Sequence, residues 1–303
     1  MRVTTQLAYE RAIDAMNDRQ ARLVRSQEEL ATGKKLLSPS DDPTAAADAE
    51  RTRSQLRRIE IQQRMNDFAT NMLGQAESTL SRATDLMQSL REGFVQAGNG
   101  SLSPTDRGLL AQQFRSYRGE LYSRATRPDG AGGYVFGGQG TRTEPFSVNG
   151  TVTYDATPGV QQVGLDHDTP TSVDGRTAFM TVPTASGQRS VFDIVDDALA
   201  VLEDPNASKP TVTAAVQAAL GGIDTALDRV QQRRTDIGEH LKALEGRTAL
   251  NETSSIELSS ELSDLVDLDF AKAISEFSAN QTALQAAMKT YSEISKMTLF
   301  DYV

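Results

Sequence analysis

The chain closes on "FAKAISEFSANQTALQAAMKTYSEISKMTLFDYV", Phe270 to Val303, and the spacing of its apolar residues decides the architecture. Phe270, Ile274, Phe277, Leu284, Met288 and Tyr291 follow one another at steps of 4, 3, 7, 4 and 3. Such steps bring side chains onto one side of a helix, in the seam pattern of a coiled coil. No proline interrupts the run, and Phe300 and Tyr302 keep the last residues apolar. Chain ends are usually polar and frayed, so a stripe of this kind needs a covering surface.

The other end of the chain offers one. Ile13, Met16, Leu23 and Leu30 keep heptad spacing, with Gln20 and Gln27 in the remaining slots and Leu7 upstream. This pattern predicts a helix over residues 5–31, stopped at Gly33, with a loop as far as Pro43. Residues 1–40 carry seven Lys/Arg against five Asp/Glu, whereas residues 251–303 carry three Lys against nine Asp/Glu. Charges of opposite balance beside two apolar stripes favour pairing of the two ends. A lone pair of helices covers only one side of each stripe, and isolated helices are marginal in water. The ends are therefore expected to gain their full order from neighbouring copies, through Leu7, Ile13, Met16, Leu23, Leu30, Phe270, Ile274, Phe277, Leu284, Met288, Tyr291 and Phe300.

Between the ends the helical pattern continues. Asp42 before Pro43 is a helix start, an N-cap followed by proline at the first position. From there to about Ala97 no proline intervenes, and Ile61, Met65, Phe68, Met72, Ala76, Leu80, Ala83, Met87, Leu90 and Phe94 keep steps of 3 and 4. Gly74 and Gly93 are the weak points, each expected to cost about 1 kcal/mol relative to alanine. "GNGSLSP" breaks the run, and Ser103 is placed to cap a further helix from Pro104 to about Thr126. The composition then changes. Residues 130–188 are rich in Gly, Thr, Val and Pro, with "NG", "PG" and "DG" turn signals between short β-branched runs, which predicts a small β-rich insertion. A short helix over residues 191–203 follows. From Pro210 the ladder Val216, Leu220, Ile223, Leu227, Val230, Ile237, Leu241, Leu244 resumes, broken at Arg234.

The expected fold is mainly α with a β-rich insertion: an elongated rod of long antiparallel helices, terminal coiled-coil segments, and a small β domain at the tip. Five segments follow: 1–42, a terminal helix and loop; 43–129, the N-terminal half of the rod; 130–190, the β-rich part; 191–264, the C-terminal half of the rod; 265–303, the second terminal helix.

Composition narrows the function. The formal charge of −10 argues against a nucleic-acid partner, because phosphate binding needs a basic face. Cysteine is absent, which excludes disulfides and thiolate metal sites. No apolar run approaches the ~18 residues of a membrane span, so membrane insertion is not expected. The start "MRVTTQLAYERAIDAM" has no signal-peptide core, so departure from the cell would use an uncleaved signal. No catalytic, cofactor or metal site is expected. His167 in "LDHDTP" is one residue where a metal needs three or more converging ligands. His240 falls off the seam. "GGYVFGGQGT" lacks the Lys-Ser/Thr of a phosphate loop, and "SDDP" reads as helix capping.

Several stretches together resemble the bacterial flagellin family. They are "MRVTTQ", "LATGKKLLSPSDDPTAAADA", "NDFATNMLGQAESTLSRATDLMQSLRE", "GGYVFGG", "DIGEHLKALE" and the whole of "ELSDLVDLDFAKAISEFSANQTALQAAMKTYSEISKMTLFDYV". The ends "MRVTTQ" and "TLFDYV" look more like the hook-associated members that join hook to filament than like filament subunits. In the family's usual pattern an Asn stands where this chain has Thr126. The resemblance implies a structural role and export, unfolded, through the flagellar type III export apparatus, with the first residues as the signal. It implies an export chaperone on the C-terminal region, and assembly with further copies, between the first hook-associated protein and flagellin, at the hook–filament junction outside the cell. Filament flagellin itself and a secreted coiled-coil binding or adhesion module remain as alternatives.

Overall fold

A computed structural model describes residues 2–100, 102–140, 142–164, 169–184 and 187–296, with side chains from residue 10 to residue 293. Six helices dominate: α1 (Arg2–Thr32), α2 (Pro43–Ala97), α3 (Pro104–Ala125), α4 (Val191–Glu203), α5 (Lys209–Val266) and α6 (Phe270–Lys296). Between α3 and α4 lie three antiparallel two-stranded pairs: β1 (Phe146–Asn149) with β2 (Thr151–Tyr154), β3 (Gln162–Val163) with β4 (Thr169–Pro170), and β5 (Val182–Thr184) with β6 (Gly187–Arg189). The fold is mainly α with a β-rich insertion. None of the described helices is long and apolar enough to cross a membrane.

Local chemistry sets the helix boundaries. Asp42 Oδ1 accepts from the N–H groups of Thr44 and Ala45 at 3.0 and 2.9 Å, satisfying donors that the first turn of α2 leaves open. At α3, Ser103 and Asp106 form a reciprocal capping box ahead of Pro104. Ser190 caps α4 by accepting from Asp193 N–H at 2.9 Å. Helix α3 ends at Thr126, whose φ of −92° is open to a β-branched residue, and its hydroxyl donates to the Tyr122 carbonyl at 3.0 Å. The threonine thus ends the helix without the left-handed turn that an asparagine tolerates.

The chain divides into two compact units, one of residues up to Ile59 together with those from Thr253, the other of Glu60–Glu252. In the second unit α2 and α5 run antiparallel. Gln63 meets Thr248, Glu77 meets Arg234 and Arg91 meets Asp224, so the numbering rises along one helix as it falls along the other. Arg234, which interrupts the apolar ladder of α5, donates to Glu77 Oε1 from two nitrogens at 2.8 and 3.0 Å. The break in the sequence pattern is an ion pair across the helices.

A single buried cluster extends from Ala69 to Leu244 and includes Leu80, Met87, Leu90, Phe94, Val216, Ile223 and Val230. Its densest part is a knot of aromatic rings where the insertion meets α3 and α4. Phe179 lies 5.3 Å from Phe136, 5.9 Å from Phe146 and 6.1 Å from Phe192, centre to centre. Tyr122 donates its hydroxyl to the Phe146 carbonyl at 2.7 Å, and Tyr154 donates to the Phe136 carbonyl at 3.1 Å. Burial pushes the Tyr154 phenol well above its ordinary range, aided by the Asp174 carboxylate. The "GGYVFGG" stretch makes this close packing feasible. Gly138 has φ +60°, and a Cβ there would stand 2.2 Å from the Thr157 carbonyl oxygen. The β insertion therefore shares its core with the helices.

Candidate assembly surface

The first unit is built differently. Gly33 has φ +68° and ends α1. Past it the loop bonds to the end of α5: Lys35 N–H donates to the Val266 carbonyl at 2.9 Å, and Leu268 N–H donates to the Gly33 carbonyl at 3.0 Å. The Lys35 ammonium also reaches the Asp264 carbonyl. Asp41 fastens the loop from the other side. Its carboxylate accepts from Ser38 and Leu37 N–H at 2.8 and 3.1 Å and pairs with Arg25 at 3.1 Å. These bonds, the Ser38 N–H first and the Arg25 charge among the rest, hold the Asp41 carboxyl below the usual carboxylate range. The two aspartates of "SDDP" thus divide the work: Asp41 closes the loop and Asp42 caps α2.

This clasp brings the end of α1 beside the start of α6, and the two helices pack antiparallel. Half-burial marks the seam. On α1 it falls at Ala12, Met16, Arg19, Leu23, Ser26 and Leu30, steps of 4, 3, 4, 3 and 4, and additionally at Glu29, which pairs with Arg25. On α6 Ala273 is buried and Phe277, Asn280, Leu284, Ala287 and Tyr291 are half-buried at the same steps, with Ala283 and Ser292 half-buried beside them. Gly33 lies against the Phe270 ring. Counting back from there aligns each large seam residue with a small or polar one: Leu30 with Ala273, Phe277 with Ser26, Met16 with Ala287 and Tyr291 with Ala12.

The apolar residues singled out from the sequence divide accordingly. Met16, Leu23, Leu30, Phe277, Leu284 and Tyr291 take up the seam within one chain. Ile13, Ile274 and Met288 stand one position beside it, exposed by 41, 53 and 50 %, while Phe270 continues the α6 ladder and lies against Gly33 yet is 50 % exposed. Leu7 lies in α1 but its side chain is outside the described residues, as is Phe300 altogether. Counting only large apolar residues missed Ala12, Arg19, Ser26, Ala273, Asn280 and Ala287, because a small or polar seam residue carries no hydropathy signal. The unbroken 4–3 ladder, tested against all residue types, would have found them. Val24, 47 % exposed, joins the outward group. Of the two histidines, His240 is exposed on α5 and His167 falls outside the described residues.

The terminal helix pair leaves Ile13, Val24, Phe270, Ile274 and Met288 exposed. Residues 3–141 match the bacterial flagellin N-terminal helical region, and residues 220–303 match the bacterial flagellin C-terminal helical region. The chain belongs to the bacterial flagellin family. Flagellar hook-associated protein 3 of Escherichia coli is 32 % identical over 314 residues, covering 99 % of each chain. The Salmonella typhimurium protein of the same name is 32 % identical over 317 residues, again covering 99 % of each. In fold, the chain is similar to a flagellar hook-associated protein of Vibrio parahaemolyticus, with a TM-score of 0.69 and 22 % identity over 75 % of this chain and all of that one. Proteins of the flagellin family are structural parts of the flagellum.

Proposed function

We propose that this chain is the adapter that joins the hook to the flagellin filament, placed outside the cell at the hook–filament junction and assembling through its N- and C-terminal helices. The observation that carries the reading is the end-to-end likeness to hook-associated protein 3, which takes in the β-rich insertion as well as both helical regions. The outward apolar residues of α1 and α6 support it, since a polymer joint needs surfaces that one copy cannot cover.

The partners follow from this role: further copies of the chain, the first hook-associated protein on the hook side, and flagellin on the filament side. Before assembly they are the type III export apparatus and a chaperone holding the amphipathic C-terminal region. By segment, 1–42 and 265–303 make the polymer contacts, 43–129 and 191–264 form the helical support, and 130–190 forms the outer part. The role requires no catalysis and no cofactor.

The test places the protein on isolated flagella with labelled antibody in a strain carrying this chain as its sole adapter. A label confined to a band between hook and filament is expected, and a label along the whole filament would overturn the reading in favour of a filament subunit. Removal of residues 265–303 should abolish incorporation and motility.

A further inference from the structure

The central unit holds both Asn-Gly pairs of the chain, Asn99-Gly100 and Asn149-Gly150, and all four residues are exposed. This dipeptide carries a reaction of its own. The glycine backbone nitrogen, once its proton has gone to solvent base, attacks the Cγ of the asparagine amide. A C–N bond forms, ammonia leaves, and a five-membered succinimide remains. Water then opens either ring carbonyl, giving aspartate or isoaspartate. The balance is asparagine plus water to acid plus ammonia. Glycine favours the step because no side chain crowds its nitrogen and its backbone turns freely. The asparagine ψ must also rotate until that nitrogen reaches Cγ, so the bonds on either side of the pair set the rate.

Those bonds differ at the two places. Asn149-Gly150 joins β1 to β2, with residues registered from Phe146↔Tyr154 to Asn149↔Thr151. The Ser147 and Thr153 hydroxyls meet at 3.0 Å, and Val152 N–H donates to Asp193 at 3.3 Å. Phe146, at the start of β1, is fully buried in the aromatic knot, and Gly150 closes the turn at φ +83°. Rotation at Asn149 therefore undoes a ladder anchored in the core. Asn99-Gly100 stands between α2 and α3. Asn99 N–H donates to the Gln96 carbonyl at 3.1 Å, and Leu102 N–H donates to the Asn99 carbonyl at 3.2 Å, each closing a single turn. A Cβ on Gly100 would meet nothing within 4 Å, so this backbone has room to move. Exposed turns open at lower cost than strands tied to a core.

We propose that Asn99 is a site of spontaneous deamidation and isomerisation in the folded chain, and that the turn between β1 and β2 protects Asn149 from the same reaction. The product sets a carboxylate just past the end of α2 at Ala97, where the helix dipole is already negative, so the last turn of α2 loosens as the protein ages. Isoaspartate also lengthens the backbone of the turn by one methylene.

The test incubates the folded full-length chain in mildly alkaline buffer and digests it with trypsin. Peptides 92–107 and 143–176 carry Asn99 and Asn149 as their respective asparagines. Mass spectrometry reads conversion of amide to acid, and an isoaspartate methyltransferase reads the isomer. Asn99 should convert at least about tenfold faster than Asn149, with isoaspartate among its products, whereas in urea the two rates should agree within about threefold. Gly100→Ala should slow conversion at Asn99 by about tenfold or more and leave Asn149 unchanged. Equal rates in the folded chain, a faster Asn149, or no conversion at Asn99 would each overturn the proposal. So would a tenfold difference that persists in urea, because local sequence alone would then set it. Acid formed at Asn99 without isoaspartate would mean direct hydrolysis, and would overturn it as well.

Discussion

The two units carry the same 3–4 hydrophobic step and put it to opposite use. In Glu60–Glu252 the step ends in a sealed interior, with Leu80, Met87, Leu90 and Phe94 fully buried. In the unit holding α1 and α6, the described large apolar side chains other than Val266 remain half-buried or exposed. Ala49, Val266 and Ala273 are the buried hydrophobic residues among those described. In the central unit α2 meets α5 through Gln63, Glu77 and Arg91 and α3 through Phe94 and Phe114, within one buried cluster that also takes in α4 and the β insertion. In the terminal unit α1 and α6 have mainly each other. Periodicity names the apolar side of a helix. It does not say how many partners cover it.

The largest expected effect tests that difference directly. Phe179→Ala removes a ring packed against three others and should destabilise the central unit by about 3–5 kcal/mol, read from urea unfolding followed by circular dichroism. Phe277→Ala removes a ring of the same size from the half-buried α6 seam and should cost less than about 2 kcal/mol. Equal costs would break the comparison.

The two glycines of α2 sharpen it next. From sequence they are equivalent, and the structure separates them. A Cβ at Gly93 would stand 2.2 Å from a carbon of the fully buried Phe114 ring, whereas a Cβ at Gly74 meets nothing within 4 Å. Gly93→Ala should destabilise by about 1–3 kcal/mol through overpacking. Gly74→Ala should stabilise by up to about 1 kcal/mol through helix propensity. Opposite signs in one thermal-melting series are the check.

Arg234 gives a smaller effect. Its pair with Glu77 is about three-quarters buried, and Glu77 Oε2 has no hydrogen-bond partner. Arg234→Ala strands the Glu77 carboxylate and should cost about 1–2 kcal/mol. Replacing both residues by leucine should recover most of that loss, as measured by a double-mutant cycle.

These cases show what was legible in the sequence. The helices of 43–97 and 191–203, the caps at Asp42 and Ser103, and the "NG" turn at Asn149 and Gly150 between β1 and β2 were readable because each rests on a few neighbouring residues. The aromatic knot was not, because Phe136, Phe146, Phe179 and Phe192 meet only once the insertion folds back on α3 and α4. At the ends the apolar stripe took in Ile13 and Ile274, which stand one position beside the half-buried lines of α1 and α6. Large residues were given to a single stripe, although the structure divides them between an inner seam and an outer face.

The smallest effect concerns what holds the terminal unit where packing does not. Asp41 gathers the loop between α1 and α2 through two backbone N–H groups and Arg25. Its carboxyl is held below the ordinary range, so the ionised form belongs to the folded loop. A group lowered in the folded state contributes stability that is complete above its unfolded value, near 4, and is lost as pH falls through the folded one. Acidification below about pH 4 should therefore shift the Leu37 and Ser38 amide resonances, and Asp41→Asn should flatten that response while keeping an acceptor. The aromatic knot of the central unit rests on packing and neutral hydrogen bonds, so its resonances should hold over the same range. Movement of both sets together would mean that the loop is kept closed by the same apolar burial as the central unit, and the contrast between the two would fail at its clearest point.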